Sequence, residues 1–228
     1  MSHHVIEARN LSFSYPDGHP ALKDVSFRVT HGESVAVVGA NGAGKSTLLM
    51  QFTGCLLPSS GEIRVGETPV TKSTADRVRQ RIGMIFQDPD DQLFMPTVMD
   101  DATFGPLNQG LSPEDAERRA VEALGKVGAL RLKDRPPHRL SWGEKRACAI
   151  ASVLAMEPDA LILDEPSSGL DPKARRRLIE LLRSFTHTRI VATHDLDMAL
   201  ELCPRPIVLK EGGVLADGPT REILSDHD

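Results

Sequence analysis

The chain's strongest chemical pattern is Gly39-Ala40-Asn41-Gly42-Ala43-Gly44-Lys45-Ser46-Thr47, which fits G-x-x-x-x-G-K-[ST] without departure. It follows the apolar run 35–38 and precedes Leu48-Leu49-Met50, so strand, loop and helix stand in the order the pattern needs. Gly42 and Gly44 let backbone N–H groups approach and wrap an anion, with Gly39, Asn41 and Ala43 completing the loop and Thr47 closing it. A helix opening near Lys45 aims its positive dipole end at the same point. In such a cradle Lys45 neutralises β- and γ-phosphate oxygens, and the Ser46 hydroxyl ligates Mg²⁺.

A second run, Leu161-Ile162-Leu163-Asp164-Glu165-Pro166, delivers two adjacent carboxylates at the end of an apolar strand. Open α/β sheets bind their ligands at that end. Asp164 is suited to hold Mg²⁺ through its water shell, and Glu165 to orient or deprotonate a water attacking the γ-phosphate in line.

The elements that must position these groups alternate between β-type and helical runs. Strands are expected at 34–39, 82–87, 160–164 and 189–193, several followed by helix signals, which is an α/β pattern. Runs 160–163 and 190–192 are apolar throughout, as in parallel strands covered on both faces. Val25, Phe27 and Val29 alternate with polar residues, as do Ile63 and Val65, which predicts a flanking antiparallel sheet. Between Gln87 and Leu140 the pattern turns helical. Ser112 is a cap, Pro113 takes the first helical position, Asp115 closes the cap, and Ala116, Ala120, Ala123, Leu124 and Val127 share a face before Gly128. Asp171 and Pro172 open another helix, reaching 185, and Gly212-Gly213 mark a hairpin. The chain reads as one unit, 1–228, with a helical subdomain at approximately 88–155.

The 228 residues carry a net charge of -5, with 40% apolar and 26% charged residues, an ordinary composition for one folded catalytic module. An acidic balance argues against nucleic acid as a partner. Cys55, Cys148 and Cys203 are odd in number and far apart, so neither a disulfide framework nor a zinc site is expected. No apolar stretch approaches the roughly 18 residues of a membrane span, and the first residues show no secretory apolar segment. Membrane work is expected to run through partners.

A third motif narrows the field. Leu140-Ser141-Trp142-Gly143-Glu144-Lys145-Arg146 resembles the L-S-G-G-Q signature of ABC ATPases, departing from it at Trp142, where glycine is usual, and at Glu144, where glutamine is usual. Ser141 and the Gly143 amide precede a helix expected at 144–155, which offers a second anion-binding N-terminus. The resemblance implies a P-loop NTPase of the ABC class. Its fold has a mostly parallel central sheet, an antiparallel β-subdomain and an inserted α-helical subdomain carrying the signature. It further implies ATP and Mg²⁺ as cofactors, and a head-to-tail dimer in which Ser141, Gly143 and Glu144 of one copy close on the ATP of the other. By the same resemblance Tyr15 stacks on adenine, Gln87 contacts Mg²⁺ and the attacking water, Ser168-Gly169-Leu170-Asp171 couples the two sites, and His194 hydrogen-bonds the γ-phosphate.

The stretch Phe86-Gln87-Asp88-Pro89-Asp90-Asp91-Gln92-Leu93-Phe94, with Pro96-Thr97-Val98 and Phe104-Gly105-Pro106, is similar to energy-coupling-factor ATPases. That likeness implies a transmembrane coupling protein, a separate substrate-capturing membrane protein, uptake of cobalt, nickel or a vitamin, and a place at the cytoplasmic face of the membrane. Physically, the acidic turn with Leu93, Phe94 and Met95 offers charge and apolar anchors to a basic amphipathic helix. The chain ends soon after Ile223-Leu224, without a longer C-terminal extension, which tilts the expectation towards two identical copies. ATPases of other ABC transporters, such as amino-acid or lipid systems, share the earlier motifs, and the stretch after Gln87 is the discriminator. Non-transport ABC proteins carry coiled-coil arms or two cassettes, and neither feature is present.

Overall fold

The computed structural model describes residues 4–185 and 187–225. It separates into two compact units. The first takes the chain up to Ile82, Asp159–Glu165 and the chain beyond Phe185; the second takes Gly83–Pro158 and Pro166–Phe185.

The first unit holds two sheets. In the antiparallel one, β1 (His4–Ser14) lies between β2 (Pro20–Thr30) and β4 (Ser60–Val65), with the short β5 (Thr68–Pro69) beyond β4. Leu22, Val25, Phe27 and Val29 of β2 are buried while Lys23, Asp24, Ser26 and Arg28 face out, the period-2 alternation of a one-sided sheet. In the second sheet β3 (Ser34–Val38) runs parallel to β8 (Thr188–Thr193) on one side and β9 (Arg205–Lys210) on the other. Beyond β8 lies the parallel β7 (Ala160–Asp164), and beyond β9 the antiparallel β10 (Gly213–Asp217). The order is β10-β9-β3-β8-β7; β6 (Ile82–Ile85) has its first residue in this unit and the rest in the second. Every residue of β3 and β7 is buried, so the apolar runs are strands covered on both faces. Helices α1 (Lys45–Phe52), α2 (Ala75–Arg79), α7 (Leu196–Leu202) and α8 (Thr220–Ser225) complete the unit.

The second unit is mainly helical: α3 (Val98–Asn108), α4 (Pro113–Lys126), α5 (Trp142–Leu154) and α6 (Pro172–Ser184). Its core joins Leu93, Val98, Ala120, Leu124, Leu132, Cys148 and Ala151. Ser112 caps α4 by accepting from the Asp115 N–H, and Asp171 caps α6 by accepting from the Ala174 N–H.

Several elements begin or end away from their expected boundaries. The strand expected at 34–39 stops at Val38, and the Leu209 carbonyl oxygen comes so close to Gly39 that no Cβ would fit there. The strand expected at 82–87 stops at Ile85. The carbonyls of Phe86 and Gln87 accept instead from the Arg146 guanidinium, at 2.6 and 2.5 Å. The signature helix begins at Trp142 rather than Glu144, since Ser141 is its cap. The hairpin turn is Glu211-Gly212, both at positive φ (50° and 84°), while Gly213 already pairs with Lys210 in β10. Val127 lies just past the end of α4.

Candidate functional site

Two strand ends of the first unit meet α1. Glycine occupies the turn into α1 because only glycine fits: Gly44 has φ 104°, and a Cβ there would lie 2.6 Å from the Ala21 carbonyl oxygen. Gly42, at φ 80°, faces open space. No side chain caps α1, so the first-turn amides are left to an external acceptor. The hairpin turn braces this loop from behind, with the Gly212 N–H donating to the Ala43 carbonyl at 3.2 Å.

Lys45 is 6% exposed, and its Nζ donates to the carbonyls of Gly39 (2.8 Å) and Ala40 (3.2 Å). At 3.5 Å it also faces Glu165 Oε1. A buried ammonium held this way has a compensating partner on each side and presents its charge at the loop. Glu165 sits just after β7 at φ 43°, a left-handed conformation unfavourable for a side chain of its size, with its N–H donating to the Ala192 carbonyl at 2.8 Å. Its second oxygen, Oε2, accepts from the Thr193 hydroxyl (3.1 Å) and the His194 N–H (3.3 Å) and lies 2.9 Å from His194 Nδ1. A carboxylate is thus suspended between an ammonium and an imidazole, with both of its oxygens held by the chain's own groups. His194 itself has a side chain 63% exposed and can reach a ligand from that position.

Asp164, the last residue of β7, is 4% exposed, and Ser46 lies in the first turn of α1. Carboxylate and hydroxyl are the hard oxygen donors that Mg²⁺ prefers, so the donor set fits that ion. Tyr15 follows β1. Its hydroxyl lies 2.8 Å from Thr47 Oγ1, and its ring meets Phe13 edge-on at 5.1 Å, which sets the ring beside the loop.

Thus Gly39, Lys45, Glu165 and His194 come together in the first unit, with Tyr15 tied to Thr47 there. Gln87, Ser141, Gly143 and Glu144 belong to the second. In that unit Ser141 and Glu144 form a reciprocal cap. The Glu144 N–H donates to Ser141 Oγ (3.4 Å), while Glu144 Oε2 accepts from the Ser141 N–H (3.1 Å) and hydroxyl (3.0 Å). Arg131 holds the other oxygen at 3.1 Å. The carboxyl of Glu144 stays below the usual range, chiefly through the Ser141 N–H, against the opposing effect of burial and with help from the Ser141 hydroxyl and Arg131.

Sequence reasoning missed Thr193 and Gly212, which orient Glu165 and support the loop. Nothing local marks Thr193; the Glu211-Gly212-Gly213 run signalled only a turn. It also misassigned Leu93 among the apolar anchors after Gln87. Leu93 is 7% exposed and packs in the helical core, whereas Phe94 is 63% exposed and stacks edge-to-face on Phe104 at 5.0 Å. The acidic turn is partly spent internally: Asp88 accepts from the Asp90 N–H, and Lys145 Nζ grips both oxygens of Asp90 at 2.5 and 2.8 Å.

A strand–loop–helix phosphate cradle after β3, with a carboxylate pair at the end of β7 in the same sheet, defines a P-loop nucleotide hydrolase. The ABC transporter profile matches residues 22–168, and the chain belongs to that family. A Geobacter sulfurreducens protein named for ABC transporter ATP binding is 60% identical over 228 residues, which cover 100% of this chain and 92% of that one. The energy-coupling factor transporter ATP-binding protein EcfA of Methanothermobacter thermautotrophicus is 44% identical over 229 residues, 98% of this chain and 74% of that one. The solved structure of cbiO1 from Clostridium perfringens, part of the ABC transporter complex cbiONQ, matches with a TM-score of 0.88 at 40% identity, over 99% of this chain and 92% of that one. The fold is that of an ABC ATPase, the activity is ATP hydrolysis, and the cofactors are ATP and Mg²⁺. Cassettes of this family form dimers and work with membrane components. Among the described residues no helix is long and apolar enough to cross a membrane.

Proposed function

We propose that the chain is the ATPase of an energy-coupling-factor importer. Two identical copies act at the cytoplasmic face of the membrane and drive uptake of cobalt, nickel or a vitamin through a transmembrane coupling protein and a substrate-capturing membrane protein. The observation that carries this reading is the segment after Gln87, where the exposed Phe94 pairs edge-to-face with the exposed Phe104 and, with the exposed Asp91 three residues before Phe94 in the chain, offers apolar anchors and a carboxylate to a basic amphipathic helix. The likeness to EcfA and cbiO1 supports the same assignment. The whole chain acts as one ATPase domain, with 88–155 as its helical part.

In this reading the amides of 39–44 and Lys45 hold the phosphates, Tyr15 stacks on the adenine, and Ser46, Asp164 and Gln87 attend the Mg²⁺. An arriving γ-phosphate takes over Lys45 from Glu165 and the loop carbonyls, and Glu165 is then available to orient the attacking water. His194 bonds the γ-phosphate, supplying a donor where negative charge gathers. Ser141, Gly143 and Glu144 of one copy complete the site of the other.

The test is to purify the chain with its membrane partners and assay ATP-dependent uptake of cobalt, nickel and biotin. Co-purification with a small membrane coupling protein and uptake of one of these is the expected result. A periplasmic solute-binding partner would place the chain with another class of ABC importer.

A further inference from the structure

Trp142, the chain's sole tryptophan, is half-buried at the first position of α5, where the signature pattern usually has glycine. Its indole Nε1–H donates to the Ser168 carbonyl at 3.0 Å. The next residue, Gly169, has φ 73°, and a Cβ built on it would lie 2.7 Å from Trp142 Nε1 and 3.1 Å from Cε2. A hydrogen bond on one residue and a steric fit on its neighbour thus point to the same indole. The following residue of α5, Gly143, also lies near α6: a Cβ built on it would sit 3.6 Å from the Ala174 Cβ in the first turn of that helix. Ser141, immediately before Trp142, caps α5 and so cannot move apart from it.

We propose that Trp142 is a positioning residue that fastens the Ser168-Gly169 turn to the start of α5, so that Ser141 and the 168–171 loop move as one body during ATP hydrolysis. With glycine at 142 the Ser168 carbonyl would lose this donor. The inference rests on the two-copy reading, in which the 168–171 loop couples the sites, and it assigns to this chain's departure from the signature pattern a role in that coupling.

The test follows steady-state ATP hydrolysis by the full chain against ATP concentration. Trp142→Phe keeps most of the ring's packing and removes the donor. It should lower kcat about five-fold, the scale of one net hydrogen bond, with KM within about two-fold and a Hill coefficient moved towards one. A double-mutant cycle supplies an independent readout. Gly169→Ala should cost roughly ten-fold in kcat beside Trp142, and roughly three-fold or less in a Trp142→Gly background, where the indole clash is gone and only backbone strain remains. Unchanged kcat and cooperativity in Trp142→Phe, or an additive cycle, would overturn the proposal. A wild-type chain without cooperativity would remove the two-copy reading instead, and the cycle would still report on the clamp.

Discussion

The N-termini of α1 and α5, the two helix ends proposed to meet nucleotide phosphate, are finished in opposite ways. At α1 the cap is Gly44 in a left-handed conformation with no side-chain hydrogen bond, so the first-turn amides stay open and Lys45 adds a full charge. At α5 the cap is Ser141, closed reciprocally by Glu144 and backed by Arg131. The open end is unsatisfied by its own chain, as a phosphate cradle should be. The closed end satisfies itself, and presenting Ser141 to a nucleotide on another copy means giving up part of a cap worth about 1 kcal/mol. One end is thus left open by its own chain and the other is closed by it.

Substitutions can break that contrast, beginning at the open end. Glu165→Gln should reduce kcat by about 10²–10⁴ while ATP-bound dimer accumulates; near-normal turnover, measured by phosphate release, would remove Glu165 from its role. Gly44→Ala should abolish ATP binding in a filter or fluorescence assay, because its Cβ meets the Ala21 carbonyl oxygen and its φ is strained.

At the closed end the effects are smaller and fall on stability. Ser141→Ala should destabilise by about 1 kcal/mol, a fall of roughly 2–4 °C in Tm by calorimetry, whereas retention of the wild-type Tm would show that the cap contributes nothing. Glu144→Gln preserves a capping residue but removes the charge. Because the Glu144 carboxyl titrates below its ordinary 4.5, its charged form stabilises the fold above that value, and the contribution fades as pH falls through the lower folded value. The Tm gap between wild type and Glu144→Gln should therefore narrow from about pH 6 to about pH 3; a constant gap would contradict the cap's charge dependence.

The smallest effect is a check that both ends stay folded. Burial pushes the thiols of Cys148 and Cys203 up to about 12, while Cys55 is exposed. A thiol reagent at about pH 8 should therefore titrate one cysteine per chain in every variant. Faster labelling of Cys148 after Ser141→Ala would mean that α5 has loosened as a whole.

Much of this was legible in the chain because the signals are local. The cradle needs nine consecutive residues, the caps at Ser112 and Asp171 need four, and the buried strands show as uninterrupted apolar runs. Those patterns gave the α/β class and pointed to the family. Other features join residues far apart in the chain, and no periodicity encodes them. Lys45 meets Glu165 across 120 positions, and Thr193 and His194 reach the same carboxylate from a different strand. Arg146 ends β6 early by taking two carbonyls some sixty residues away. Leu93 and Phe94 look interchangeable as neighbours, yet packing buries one and exposes the other.

The amino-acid order by itself determined which residues can bind phosphate, carry a metal ion and cap a helix, since these depend on side-chain type and short spacing. Only the tertiary structure decided which of those groups face one another, which acidic residues are already paired, and that the indole at 142 closes on Ser168 and Gly169. Such pairings follow from the burial of distant segments against one another, which a one-dimensional pattern constrains only through the identity of the surfaces it buries.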